Sequence, residues 1–412
     1  MKECLRAHAD AIVRGAIDRV MPGPAVRRAL DGRDFGPGRL VLVSVGKAGW
    51  SMAQAACDCL SQRVDGGIVI TKHGHAQGPI GPLVIREAGH PVPDGNTFSA
   101  TAQALALTAD LTERDTVLFL LSGGGSALFE SPLVPQEELQ DVTRQLLASG
   151  ADIVEMNTIR KRLSGVKGGR FAQHCAPARV LAVVLSDIIG DPLDMIASGP
   201  AYPDSSTADD ARRITAQYGL DLSPQARSLL DRETPKALDN VETLVTGSVR
   251  ELCSAAADVC RELGYEPVVL TDSLCCEARE AGSFLASIAR SHQDSRRSLA
   301  FLAGGETVVH LTGQGLGGRN QELALAAAQG IAGCAGTAVF SVGSDGTDGP
   351  TDAAGGWVDG GTLDALSAQG LDLFQVLRDN DAYHALERTG GLIVTGGTGT
   401  NVNDVAVVLI HR

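Results

Sequence analysis

Five hydrophobic runs in this chain each end in a loop of glycines and polar groups, and that repeated pairing limits the fold more than any other feature. The run at 41–45 leads to Gly46, Lys47, Ala48 and Gly49, and the run at 116–121 leads to Ser122, Gly123, Gly124, Gly125 and Ser126. The runs at 180–185, 337–342 and 392–395 lead to loops carrying Asp187 and Asp191, Asp345, Asp348 and Asp352, and Thr398 to Asn401. Short runs of Val, Ile and Leu that are apolar on both faces read as parallel strands buried between helices. Ligands of such sheets sit outside the carboxyl ends of the strands, where these loops fall.

Helical patterns lie between the runs. At 50–60, Ala53, Ala56, Cys57 and Leu60 follow the spacing of a buried helix face. The alternation predicts an α/β fold with a mostly parallel sheet. At 412 residues the chain exceeds one compact core. Between 203 and 240 the apolar period weakens around Pro203, Pro224 and Pro235, which predicts two domains, 1–238 and 239–412. In the second, Gly304 and Gly305 separate two strand-like runs, 299–303 and 307–311, so a hairpin and a mixed sheet are expected there.

A formal net charge of −14 and an aromatic content of 4% argue against nucleic acid and an anionic membrane surface as partners. No apolar run reaches the roughly 18 residues that a membrane span needs, so a cytoplasmic protein is expected. Its nine cysteines, an odd number without a C-x-x-C spacing, read as reduced apolar residues.

Three motifs point to anions. Ser122 to Ser126 offers unobstructed backbone N–H groups at a strand-to-helix junction, which suits a phosphate and equally a tight structural turn. The segment 155–170 packs Arg160, Lys161, Arg162, Lys167 and Arg170 into an acidic chain, with Asn157 reading as a helix cap. Gly313, Gly315 and Gly318 satisfy G-x-G-x-x-G before a helix opened by Arg319 and Asn320, with Glu306 preceding. That pattern is a weak dinucleotide signal, and the arginine favours phosphate or carboxylate capture. The loop at 345–352 crowds three carboxylates that can bind Mg²⁺ or orient a hydroxyl.

Seven motifs in order, at 45–49, 121–127, 157–169, 186–191, 197–200, 317–322 and 345–355, resemble the bacterial glycerate 2-kinases, the class II or MOFRL-type glycerate kinases. The resemblance covers nearly the whole chain. It implies two α/β domains, a larger Rossmann-like N-terminal one and a smaller C-terminal one, with an active site in the cleft between them. It also implies Mg²⁺- and ATP-dependent phosphorylation of D-glycerate at the 2-hydroxyl, and the family's active-site lysine and arginine map onto Lys47 and Arg319.

Phosphoryl transfer needs cations, a metal bridge and a carboxylate near the attacking hydroxyl. Phosphate or substrate contacts are expected from Ser122, Gly123, Gly124, Gly125, Ser126, Asn157 and Arg160, and from Glu306, Asn320, Asp345 and Asp348. Asp187 is a candidate base, and Asp187 with Asp191 a candidate Mg²⁺ pair. The sequence leaves a homo-oligomer open. The main rival is an NAD(P)H-dependent hydroxypyruvate reductase using the 313–318 loop, although Asp345, the acidic residue it would need, lies 27 residues beyond Gly318 rather than about 20. A non-catalytic sugar-acid-binding protein is the third reading.

Overall fold

The structure is a computed structural model that describes residues 1–412. It comprises two compact units, one formed by Val26–Leu185 with Asp191–Thr246, the other by Met1–Ala25, Ser186–Gly190 and Gly247–Arg412. No helix is long and apolar enough to cross a membrane.

The first unit is built on strands β1 (Leu40–Val45), β2 (Gly66–Lys72), β3 (Leu83–Ala88), β4 (Thr116–Leu121), β5 (Arg179–Leu185) and β6 (Val241–Gly247), in the order β3-β2-β1-β4-β5-β6. The pairs β1–β2, β1–β4, β2–β3 and β4–β5 are parallel. β1 and β4 are buried along their whole length, which is why both are apolar on both faces. Strand order reverses between them, so the loops after β1 and β4 flank the switch point where ligands of open α/β sheets bind. Val45 lies beside Leu121 in this register, which starts the two loops side by side.

The second unit carries β7 (Glu266–Leu274), β8 (Leu299–Gly305), β9 (Thr337–Gly343), β10 (Gly355–Asp359), β11 (Leu392–Ile393) and β12 (Asp404–Ile410), in the order β11-β10-β9-β12-β8-β7. The sheet is mixed, with β7 and β8 parallel and β12 inserted antiparallel between β8 and β9. The hairpin expected at Gly304–Gly305 does not form. Both glycines lie inside β8, where Gly304 pairs with Val405 and Gly305 with Asp404, and the run at 307–311 contributes only a bridge from Val308 to Glu277. The same register sets Asp404 opposite Gly305 and Gly343, at the ends of two strands whose following loops carry Glu306 and Asp345.

The chain divides elsewhere than at 238, for two physical reasons. The proline-marked stretch is not a linker. It holds helices Ala208–Tyr218 and Pro224–Leu230, N-capped by Thr207 and Ser223, whose Ala211, Ile214, Ala226 and Leu230 join a core with Val142, Leu146 and Ile159. The strand that follows, β6, extends the first sheet. In addition, the N-terminal helix Lys2–Val20 buries Leu5, Ala9, Ile12, Val13 and Ala16 against Leu252, Ala256, Cys260 and Val407, so it packs within the second unit.

Candidate active site

In the first unit, chemistry gathers at the ends of β1 and β4. Gly46 turns the chain out of β1 at φ +126°, with no room for a side chain against Ser122. Lys47 N donates to Gly123 O (2.9 Å) and Ala48 N to Ser122 Oγ (3.1 Å). Ser122 is therefore a buried clamp between the two loops, its hydroxyl oxygen accepting from the Ala48 N–H. Gly124, at φ +87°, leaves a space that a β-carbon would fill at 3.0 Å from His90 Cδ2 and 3.3 Å from Lys47 Cγ. Lys47 is exposed and paired with no carboxylate. Beside it the half-buried His90 imidazole is held below its ordinary pKa by burial and then by the charges of Lys47, Lys72 and His75, all of which favour the neutral ring. Sequence reading missed His90, because the strand before it, β3, alternates too weakly to stand out.

The basic segment resolves into two kinds of cation. Helix Ile153–Arg162 is started by an Asp152–Glu155 capping box, so Asn157 is not its cap but a buried side chain one turn in. Its Oδ1 accepts from Ser198 Oγ (2.9 Å), and the Ser198 and Ser126 hydroxyls meet at 3.0 Å. Lys161 pairs with Asp204 (3.0 Å) and Asp194 (3.3 Å), Arg162 with Glu233 (3.4 Å) and Asp204 (3.8 Å), and Lys167 with Glu130 (2.7 Å). Arg170 donates to the carbonyls of Lys161, Arg162 and Ser164. Four of the five cations are thus internal struts. Arg160 differs: it has no carboxylate partner and donates weakly to Ser126 O (3.4 Å), and its buried Nε, like that of Arg162, has no partner. Asp191, in the same unit at φ +49°, also keeps a buried Oδ1 without a partner.

In the second unit the centre is Arg319, the first residue of helix Arg319–Gly330. Its Nε and Nη2 donate to the two oxygens of Asp404 (2.6 and 3.0 Å), and its Nη1 lies 3.2 Å from Glu306 Oε1. Burial alone would lower the guanidinium pKa, but the Asp404 pair and the Glu306 charge outweigh it, so Arg319 is firmly charged. Asn403 Nδ2 bridges Glu306 Oε2 (3.1 Å) and the Asp187 carbonyl (3.3 Å), which ties the Asp187 segment to this cluster. Asp404 and Asn403 were missed by sequence reading. The glycine-rich loop at 396–401 leading into β12 was the available signal.

Two expected ligand contacts stand behind the cluster instead. Asp348 is buried, and its oxygens accept from Asn320 N (3.1 Å) and Gln321 N (2.8 Å), closing the start of the Arg319 helix. Asn320 is also buried, held between Asp348 and Ser341. Burial, opposed by those N–H donors, pushes the Asp348 pKa up to about 6. Asp345 forms a local turn by accepting from Thr347 N (3.0 Å). Asp187 and Asp191, the candidate Mg²⁺ pair, fall in different units.

The G-x-G-x-x-G loop is closed by its own unit. Gly313 N donates to Asn380 Oδ1 (2.9 Å), Gly315 N to Asp379 O (2.8 Å) and Leu316 N to Asp381 Oδ1 (2.9 Å). A β-carbon on Gly315 would lie 2.5 Å from that of Asp381, so this glycine admits a neighbouring turn. The N–H groups that a pyrophosphate would need are occupied, and Asp348 fills the helix start behind them.

Comparison with known proteins gives consistent results. A family model described as a domain of unknown function (DUF4147) matches residues 8–231, and one described as the MOFRL family matches residues 299–404. The D-glycerate 2-kinase of Thermotoga maritima is 52% identical over 99% of this chain and 99% of its own length. The glycerate 2-kinase of Pyrococcus horikoshii is 37% identical over 92% of this chain and 90% of its own. A protein of Agrobacterium vitis, whose name offers hydroxypyruvate reductase only provisionally, is 40% identical over 99% and 94%. The crystal structure of the Thermotoga maritima glycerate kinase matches with a TM-score of 0.94 at 51% identity, covering 99% of this chain and all of that one.

Proposed function

We propose, from the premise that this chain belongs to the glycerate 2-kinase family, that it transfers the terminal phosphoryl group of ATP to the 2-hydroxyl of D-glycerate, giving 2-phosphoglycerate and ADP. Such transfer depends on positioning and on neutralising phosphate charge, with little covalent chemistry left to the protein. Lys47, exposed and unpaired at the switch point, is suited to meet the transferring phosphoryl group. The glycine backbone at 123–125 lets that group approach closely, and the Ser126 hydroxyl stands beside it. Arg319 organises the second unit's carboxylates, holding Glu306 and Asp404 in fixed positions.

The divalent cation is also a proposal. No group of three or more His, Cys, Asp or Glu side chains is assembled as a metal cage. Mg²⁺ carried largely by nucleotide phosphates needs only one or two protein carboxylates. The orphaned oxygen of Asp191 fits one such contact, and Asp187 is our candidate to receive the proton of the attacking hydroxyl. Bound there, the cation would offset the negative charge of the phosphates.

The observation that favours the kinase over the reductase is the closed G-x-G-x-x-G loop, whose N–H groups are held by Asp379, Asn380 and Asp381. Purified protein given D-glycerate and MgATP, or hydroxypyruvate and NADH, tests it. ADP release without NADH oxidation is expected, and is lost in excess EDTA. NADH oxidation without ATP consumption would restore the reductase.

A further inference from the structure

Resting on the kinase reading, we propose that Arg160 is the specificity residue that holds the carboxylate of D-glycerate, with the Ser126 and Ser198 hydroxyls beside it.

The inference starts from an imbalance of charge. Every other cation of the 160–170 segment has a partner in the first unit: Lys161 and Arg162 share Asp204, Lys167 has Glu130, and Arg170 has three carbonyls. Arg160 has one long bond to the Ser126 carbonyl and is the one cation of the segment with neither a carboxylate nor a set of carbonyls around it; its buried Nε, like that of Arg162, has nothing to donate to. Glu130, the carboxylate whose charge acts on it, is already joined to Lys167. A guanidinium edge removed from water without an anion is unfavourable, and such groups persist where a ligand completes them.

The chemistry of the missing anion follows from the surroundings. A guanidinium presents paired N–H donors in a plane and matches a carboxylate with two parallel hydrogen bonds, which an ammonium cannot do. Arg160 meets the loop at Ser126, and the Lys47 side chain runs past Gly124 of the same loop, where an added β-carbon would lie 3.3 Å from Lys47 Cγ. One loop therefore carries a point charge at one end and an unfilled fork at the other. Next to the fork, the Ser126–Ser198–Asn157 chain offers hydroxyls able to engage the alcohol groups of a small hydroxy acid. Arg319, the other arginine expected to take this role, already gives its N–H edges to Asp404 and Glu306.

Steady-state kinetics and calorimetry on the full chain, comparing wild type, Arg160→Gln and Arg160→Lys, test the assignment. In Arg160→Gln the KM for D-glycerate is expected to rise about 30-fold or more while that for MgATP stays within about threefold, as for loss of one charge-assisted pair. The unchanged MgATP value doubles as the check that the variant is folded. Arg160→Lys, keeping charge but not the fork, should fall between the two, and the preference for D-glycerate over glycerol should collapse in Arg160→Gln and weaken in Arg160→Lys. A rise confined to the MgATP KM would reassign Arg160 to the nucleotide, and no change in either KM would make it structural; both overturn the proposal. Calorimetric titration of D-glycerate and glycerol needs no turnover. It separates failure of this assignment, equal binding by wild type and Arg160→Gln, from failure of the kinase reading, binding without phosphorylation.

Discussion

At the scale of single residues, the cations of the site differ in kind. Lys47 is exposed and its ammonium has no carboxylate partner, which suits it to the phosphoryl group. Lys47→Ala should therefore leave the fold intact and lower kcat by about 10²-fold or more, the usual loss when a preorganised group facing transition-state charge is removed. Circular dichroism beside initial rates checks both halves. Unfolding would make Lys47 structural, and near-normal turnover would remove it from the mechanism. The assignment of Lys47 and Arg319 to the site came from the family resemblance, while their places at a strand end and a helix start were legible because each stands among glycines. Their surroundings were not. The partner of Arg319, Asp404, lies 85 residues away, and the struts of the basic segment, Glu130 and Asp204, are brought in from other elements. Adjacency in sequence cannot tell a cation buried on such a carboxylate from one left open.

Among the elements, strands buried on both faces were readable directly: β1, β4 and β9 carry almost no polar side chains. β3 and β10 were missed for opposite reasons, β3 because it lies at a sheet edge with exposed charges and β10 because it begins with two glycines. The helix opening at Arg319 was foreseen, but the carboxylate closing its start was expected to face a ligand. Asp348 now yields a pH test. Its pKa in the folded protein, about 6, exceeds the ordinary 3.8, so the folded state holds that proton more tightly than the unfolded chain. Its contribution to stability is full below 3.8 and fades as pH rises through 6. The thermal midpoint of wild type relative to Asp348→Asn should therefore decline from pH 4.5 to pH 7, within that window. A constant difference across the range would contradict the buried capping role.

For the molecule as a whole, the α/β class was legible from the alternation of apolar runs and helical patterns and the family from seven motifs in order, while the second sheet is mixed as expected but through the antiparallel β12 rather than a hairpin at Gly304–Gly305. The division of the chain was less so. A helix at residues 2–20 closing a core with Leu252 and Val407 leaves no trace in local composition, and the prolines at 224 and 235 flank packed helical structure rather than a linker. The central claim is transfer of a phosphoryl group to the 2-hydroxyl of D-glycerate. Its most direct test is phosphorus and proton NMR of the product formed by wild-type protein from D-glycerate and MgATP. The phosphorus signal should couple to the single proton on carbon 2, as in 2-phosphoglycerate, with ADP released in equal amount. Coupling to the two protons on carbon 3, or no phosphorylated product, would contradict the account.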